Sequence, residues 1–336
     1  MIRRKFWKPA VVLFFLAPAI GELVSGSAPP AEFFNPFTLT LLAILYGGGA
    51  ILARELTHRW GKGWPTLLTL GAAYGIIEEG LMVKSFFDPN WMDLDILGVY
   101  GRTLGVNWVW AAELTIYHAV ISITIPVMLV ELLFPDWRDR PWVSPKAFRR
   151  LAWLFGLNGV FIFVALTPYR PPFLPYVTAV LVVIWLYRRA KRLPHPRYEL
   201  PERPSANIWR FFGLGFLGTF SLFFISWVLP NLNFPVPVTL VLLVGLPFWV
   251  RWRLLKLIGQ DADWPFRQQW ALAAGALSFF ILLAPILEAD NANRPDNTGG
   301  MVLIAILLSL FLFWIRRRIN RWARPSDSEN LAVEAA

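Results

Sequence analysis

Two adjacent glutamates and a histidine are the residues of this sequence best suited to chemistry. Glu78 and Glu79 stand side by side in GAAYGIIEEGLMVKSFF, and His118 lies in NWVWAAELTIYHAVISITIPVMLVELLF. Both stretches are apolar enough to cross a bilayer. An unpaired charge there costs about 3 kcal/mol on insertion scales, so ionisable groups at that depth point to function. A carboxylate beside an imidazole can take a proton from water, relay it, or ligate a metal. Neighbouring positions on a helix point about 100° apart, which lets one glutamate act while the other supports it. The plain alternative is a neutral, hydrogen-bonded structural knot.

The segments around these residues are built to hold them. Thr115, His118 and Ser122 follow helical spacing and make one polar stripe, with Tyr117 beside it in support. Pro126 cannot donate to the carbonyl of Ser122, which predicts a bend there. Gly71 and Gly75 form a small-xxx-small pair, and Gly47, Gly48 and Gly49 sit at comparable depth, so the second and third spans are expected to approach closely. At 1.5 Å per residue, Glu78, Glu79 and His118 all fall about 10–15 Å below the outer surface. Lys84 and Glu113 share a level nearer that surface and are expected to pair above the site. Glu22 ends the first span at similar height. The site is therefore expected to open outward.

Other polar residues have simpler readings. Lys84 taken alone is an interfacial side chain reaching for water. Glu55 and Glu131 lie at cytoplasmic helix ends near Arg54 and Arg138, where surface ion pairs account for them. His58 and His195 are expected to face cytoplasmic water. The outer loop 86–107, with Asp88, Asp93, Asp95, Tyr100 and Arg102, reads equally as a lid and as a solvated loop.

The fold class that positions these groups is all-α, a polytopic transmembrane helix bundle. Of the 336 residues, 56% are hydrophobic and only 16% charged. Apolar stretches of spanning length recur at about 8–26, 36–56, 64–85, 108–133, 150–167, 171–187, 210–229, 235–250, 268–288 and 300–315, about ten transmembrane helices. With the N-terminus and C-terminus cytoplasmic, 28 of the 32 Lys and Arg fall inside, and only Lys84, Arg102, Arg170 and Arg294 outside. Trp7, Trp60, Trp64, Trp108, Trp137, Trp209, Trp249 and Trp314 sit at or near span ends, the headgroup level that indole favours. The first span resembles a signal peptide, but Gly21 and Glu22 interrupt it, and a retained helix is expected.

These spans divide into an N-terminal six-helix bundle over residues 1–187 carrying the polar cluster, a Pro/Arg-rich cytoplasmic linker over 188–209, a C-terminal four-helix bundle over 210–320, and a disordered tail over 321–336. The expected location is the plasma (inner) membrane, with the lipid bilayer as partner. The net charge of +10 is spread over alternate loops, so no nucleic acid is expected as a partner. Cysteine is absent, which removes disulfides and thiolate chemistry. No cofactor is expected. A metal at Glu78, Glu79 and His118 would be short of ligands, and no HExxH-type spacing occurs.

An EE pair on one membrane helix, followed about forty residues later by a membrane histidine, resembles the glutamate-dependent intramembrane proteases of the CAAX-protease and bacteriocin-processing family and of the PrsW type. Those families show EExxxR or EExxK, then FxxxH, then HxxxN or HxxxD. Here Lys84 falls one place late, Leu114 takes the Phe position before His118, and LFGLNG offers Leu154 in place of the third motif's His, with Asn158 following. The resemblance covers spans three to five, under a third of the chain. It implies Glu78 or Glu79 as general base on a water, His118 orienting that water or stabilising the oxyanion, and Asn158 as a further donor. The substrate it implies is a membrane-embedded peptide or small molecule. Two rivals stand beside it: a proton- or cation-coupled transporter, in which the acids and histidine exchange protons, and a noncatalytic membrane scaffold.

Overall fold

The computed structural model describes residues 8–194, 205–259, 266–294 and 296–322. His195, residues 195–204 of the expected linker and nearly all of the expected tail lie outside the described residues. Ten long helices account for nearly all of the fold. Helix α1 (Lys8–Pro18) runs on into a π-helical turn, Ala19–Leu23, and α3 (Trp64–Gly75) into another, Ile76–Met82. The others are α2 (Pro36–Arg59), α4 (Trp108–Leu133), α5 (Pro145–Leu166), α6 (Phe173–Arg192), α7 (Ile208–Asn231), α8 (Val236–Leu257), α9 (Phe266–Ala289) and α10 (Met301–Trp322). Helix is the expected answer in lipid, because each segment satisfies its own backbone groups.

Seven of these helices, α2 and α4–α9, are long and apolar enough to cross a membrane. Of the rest, α1 is shorter, α3 is made less apolar by its two glutamates, and α10 ends in Arg316, Arg317 and Arg318. Helix starts follow local chemistry. The Asn35 side chain accepts from Phe37 N at 3.0 Å ahead of Pro36, and Ser144 accepts from Ala147 N at 3.2 Å ahead of Pro145. The loop after α3 folds back as a two-stranded hairpin, β1 (Arg102–Thr103) with β2 (Val106–Asn107).

Helix α4 is the centre. In its apolar window 83% of residues are buried inside the protein, against 11% in α5 and 6% in α6. It meets α1 and α3 on one side and α8 and α9 on the other, and Tyr117 packs edge-on against Phe223 of α7 and Phe280 of α9. The N-terminal and C-terminal helices therefore share one core through α4.

The glycine pair of α3 works on a different neighbour from the one expected. A Cβ on Gly71 would stand 2.8 Å from Ala119 Cα, and one on Gly75 would stand 2.9 Å from His118 Cβ, so this face seats α3 on α4. Gly47 of α2 instead touches the Phe14 backbone of α1, and Gly49 accommodates the Tyr74 ring. Helix α4 wins the close contact because its small Ala119 faces Gly71 across the interface.

The ion pair of Arg54 with Glu55 is buried rather than superficial. Arg54 is 3% exposed and Glu55 is wholly buried. Arg54 donates to the carbonyls of Arg140 at 2.7 Å, Arg138 at 2.5 Å and Trp137 at 3.3 Å, lies over the Trp142 ring at 4.1 Å, and pairs with Glu55 at 3.1 Å and Glu131 at 3.5 Å. Glu55 also accepts from Trp142 N at 2.7 Å and from Arg59 at 3.1 Å. The loop after α4 folds over the end of α2, which is what sequence spacing could not reveal.

Two outcomes follow. Glu55→Ala leaves Arg54 buried with one partner fewer and should lower stability by about 3–5 kcal/mol, read as thermal melting of the purified protein in detergent. Gly71→Ala should cost about 1–3 kcal/mol through overpacking against Ala119. Unchanged melting in either variant contradicts the corresponding contact.

Candidate functional site

Four helices contribute to one polar cluster, each through a π-helical turn. These turns are Ala19–Leu23 in α1 with Glu22, Ala43–Gly47 in α2 with Tyr46, Ile76–Met82 in α3 with Glu78 and Glu79, and His118–Thr124 in α4 with His118 and Ser122. A π turn packs one extra residue into the coil and redirects side chains that a regular α-helix would space evenly, and such turns are common at functional sites. In α4 the cause is partly local. Pro126 withholds an N–H just beyond the turn, and Thr124 Oγ1 donates to Ala119 O at 2.6 Å.

His118, 1% exposed, is the hub. Its Nε2 lies 3.2 Å from Glu79 Oε1, and its Nδ1 lies 3.4 Å from Glu78 Oε2 and 3.0 Å from Ser122 Oγ. One ligand-capable atom from each of Glu78, Glu79 and His118 lies within 4.8 Å of the others. The two acids thus bracket one imidazole. Glu79 is the more accessible acid, half-buried where Glu78 is buried. Ser85 Oγ donates to Glu79 Oε2 and accepts from Trp110 Nε1 at 3.0 Å.

Three tyrosines enclose the imidazole, with ring centroids 5.8 Å away for Tyr46, 5.9 Å for Tyr74 and 5.3 Å for Tyr117. The Tyr46 hydroxyl donates to Glu22 Oε1, which brings a third acid to the cluster. The Tyr117 hydroxyl donates to Gly21 O at 2.6 Å and ties the π turn of α1 to α4. The Tyr74 hydroxyl lies near Glu78, yet neither it nor Glu78 Oε2 closes a hydrogen bond of good geometry.

Several expected members are elsewhere. Asn158 donates to Leu41 O at 3.2 Å and so joins α5 to α2 instead of entering the cluster. Thr115 is half-buried and makes none of the cluster's hydrogen bonds. Lys84 neither reaches outward nor pairs with Glu113. It is wholly buried at φ 71°, donates to Phe163 O at 2.9 Å and to Thr167 O, and lies 4.1 Å over the Phe163 ring. These carbonyls lie at the end of α5, in and just past the π turn Ile162–Leu166, where helical N–H donors run out, and the ammonium helps to satisfy them together with Thr167 Oγ1, which donates to Phe163 O at 3.4 Å. Glu113 is buried against Ser226 and Trp227 in the π turn of α7, with Oε2 lacking a hydrogen-bond partner.

Tyr46, Tyr74, Ser85 and Trp110 belong to the site and were not singled out from sequence. The available signal was a hydroxyl in mid-span beside glycine, as in the runs YGGG and AYG. The loop outside the site is tied down: Arg102 donates to Asn107 Oδ1 at 2.6 Å and to Phe87 O at 2.8 Å, and Tyr100 OH lies 2.7 Å from Thr239 Oγ1 of α8. Asp93 in this loop feels the site, since its carboxyl is raised above the usual range by surrounding protein first and by Glu79 second.

This arrangement can accept, hold and pass a proton, and its three nearest donor atoms fit the chemistry of a metal ligand set that still lacks a fourth protein ligand. No curated protein and no solved structure matches the chain. Residues 11–332 match a family described as an uncharacterized membrane protein family, a span that takes in every residue of the cluster. The chain belongs to that membrane protein family.

Proposed function

We propose that the protein is an integral membrane hydrolase whose Glu79 and His118 activate a water against a carbonyl substrate held at the membrane. The observation that carries this reading is the imidazole bracketed by two carboxylates, 3.2 Å from Glu79 and 3.4 Å from Glu78. Glu79, the more accessible acid, takes the proton as water attacks the carbonyl carbon. His118 passes that proton to the leaving group as the bond to it breaks. Glu78 and Ser122, both at Nδ1, hold the ring and support its charged form. Tyr46, Tyr117 and Glu22 position the ring and the acids. Asn158 has no part, because its amide is committed to Leu41 O.

The same reading takes all ten long helices as membrane spans, with both termini in the cytoplasm and the site nearer the outer face of the plasma (inner) membrane. Its basis is the division of Lys and Arg between alternate loops. The substrate class is a membrane-embedded peptide or a small carbonyl compound.

A second reading, a proton-coupled transporter, is favoured by one specific observation. The polar groups continue past the imidazole, from Ser85 through Glu79 and His118 to Glu78, and on to Tyr46 and Glu22. Chains of this kind relay protons in membrane carriers.

Reconstitution in vesicles separates the two. Membrane-peptide cleavage and proton flux are measured for the wild type and for Glu78→Gln, Glu79→Gln and His118→Ala. Hydrolysis predicts at least about a hundredfold loss of cleavage in Glu79→Gln and His118→Ala, with melting intact and no flux in any variant. Flux without cleavage establishes the carrier. A wild type with neither activity, and folded variants indistinguishable from it, leaves the scaffold. Separately, Tyr46→Phe removes the donor to Glu22 and should lower stability by about 1–3 kcal/mol in thermal melting. No shift would mean that Glu22 does not depend on Tyr46.

A further inference from the structure

Away from the glutamate and histidine cluster, a cavity of about 410 Å³ opens where α7, α9 and α10 meet. Ile208 of α7, Arg267, Gln268 and Trp270 of α9, and Arg316 and Asn320 of α10 line it. Among the described residues no acidic side chain lines it, and it stands at the end of these helices where the basic loops gather.

Three features give it chemical character. First, Ile208, the first residue of α7, borders the space beside Arg267 and Gln268 of α9, so the positive end of the α7 dipole lies at it. Second, one of its cations is held in place. The Arg316 guanidinium lies 5.3 Å from the Trp270 ring and 5.8 Å from the Trp209 ring, and Trp270 Nε1 is anchored on Leu312 O at 2.9 Å. Third, Gln268 is 8% exposed and its Oε1 has no hydrogen-bond partner. Two guanidinium groups at the positive end of the α7 dipole select a phosphate. The orphaned carboxamide oxygen calls for a donor close to that phosphate, because a buried acceptor without one is costly.

We propose that this cavity binds a phosphate ester bearing a hydroxyl or amino group, the chemistry of a phospholipid headgroup at the membrane surface. Basic pockets between membrane helices on the positive side take such headgroups, and free glycerol phosphate presents the same groups. Arg267 and Arg316 grip the phosphate, and Gln268 accepts from the hydroxyl or ammonium.

The full-length protein is taken from phosphatidylcholine vesicles doped with phosphatidylglycerol, and bound lipid is measured by native mass spectrometry. The expected result is an affinity for phosphatidylglycerol at least about tenfold lower in R267Q/R316Q, with melting preserved. The pair R188Q/R189Q, exposed at the end of α6, should retain wild-type affinity. Q268L should lose the preference for phosphatidylglycerol over phosphatidic acid, which lacks the extra donor. Thermal melting with soluble glycerol phosphate identifies the source: a shift that needs Arg267 and Arg316 means that the ester alone suffices, whereas binding from vesicles only means that the lipid is required. Equal loss in R188Q/R189Q, or unchanged binding in R267Q/R316Q to both lipid and glycerol phosphate, overturns the proposal.

Discussion

Lipid offers no hydrogen bonds, so each buried polar atom in the spanning region must find its partner within the protein, and this constraint organises the structure around α4. His118 illustrates it most fully. Both ring nitrogens are engaged, one by Glu79 and the other by Glu78 and Ser122, and three tyrosine rings close the space around them. The same demand explains Lys84, whose ammonium turns inward to the carbonyls at the end of α5. It also explains Arg54, which spends its guanidinium on three loop carbonyls and two acids.

The π turns connect this constraint to the packing. A turn with an extra residue shifts the helix face, and here four such turns, on four helices, bring their polar side chains to one place. The glycines of α3 do the complementary work. By letting α3 lie against the backbone of α4, Gly71 and Gly75 bring Glu79 within hydrogen-bond distance of His118. Packing in lipid relies on such close approach, because hydrophobic burial provides no drive between helices there. The site and this close helix contact are therefore the same feature.

Seen this way, the hydrolase and carrier readings share a proton-handling core and differ in what surrounds it. Hydrolysis needs one acid open enough to meet water, and Glu79 is the more exposed of the bracketing pair. Transport needs the polar chain to continue, and Tyr46 with Glu22 continues it. The cavity between α7, α9 and α10 has a different character, cationic and lined by the buried Gln268, and it stands apart from the chemistry at His118.

Membrane character, the ten helical segments and the prominence of Glu78, Glu79 and His118 were legible from the amino-acid sequence alone. Hydropathy, loop charge and the cost of burying charge are local or additive properties of the chain. Equal depth for the three side chains also followed from helical rise, since 1.5 Å per residue holds whatever the neighbours are. What only the tertiary structure decided was partnership. It turned Lys84 away from Glu113, sent Asn158 to Leu41, buried Arg54 and Glu55 beneath the loop after α4, and seated Gly71 and Gly75 on α4 instead of α2. Depth along a helix can be counted from sequence, whereas rotation about its axis depends on which helices lie beside it and on π turns that reset the face.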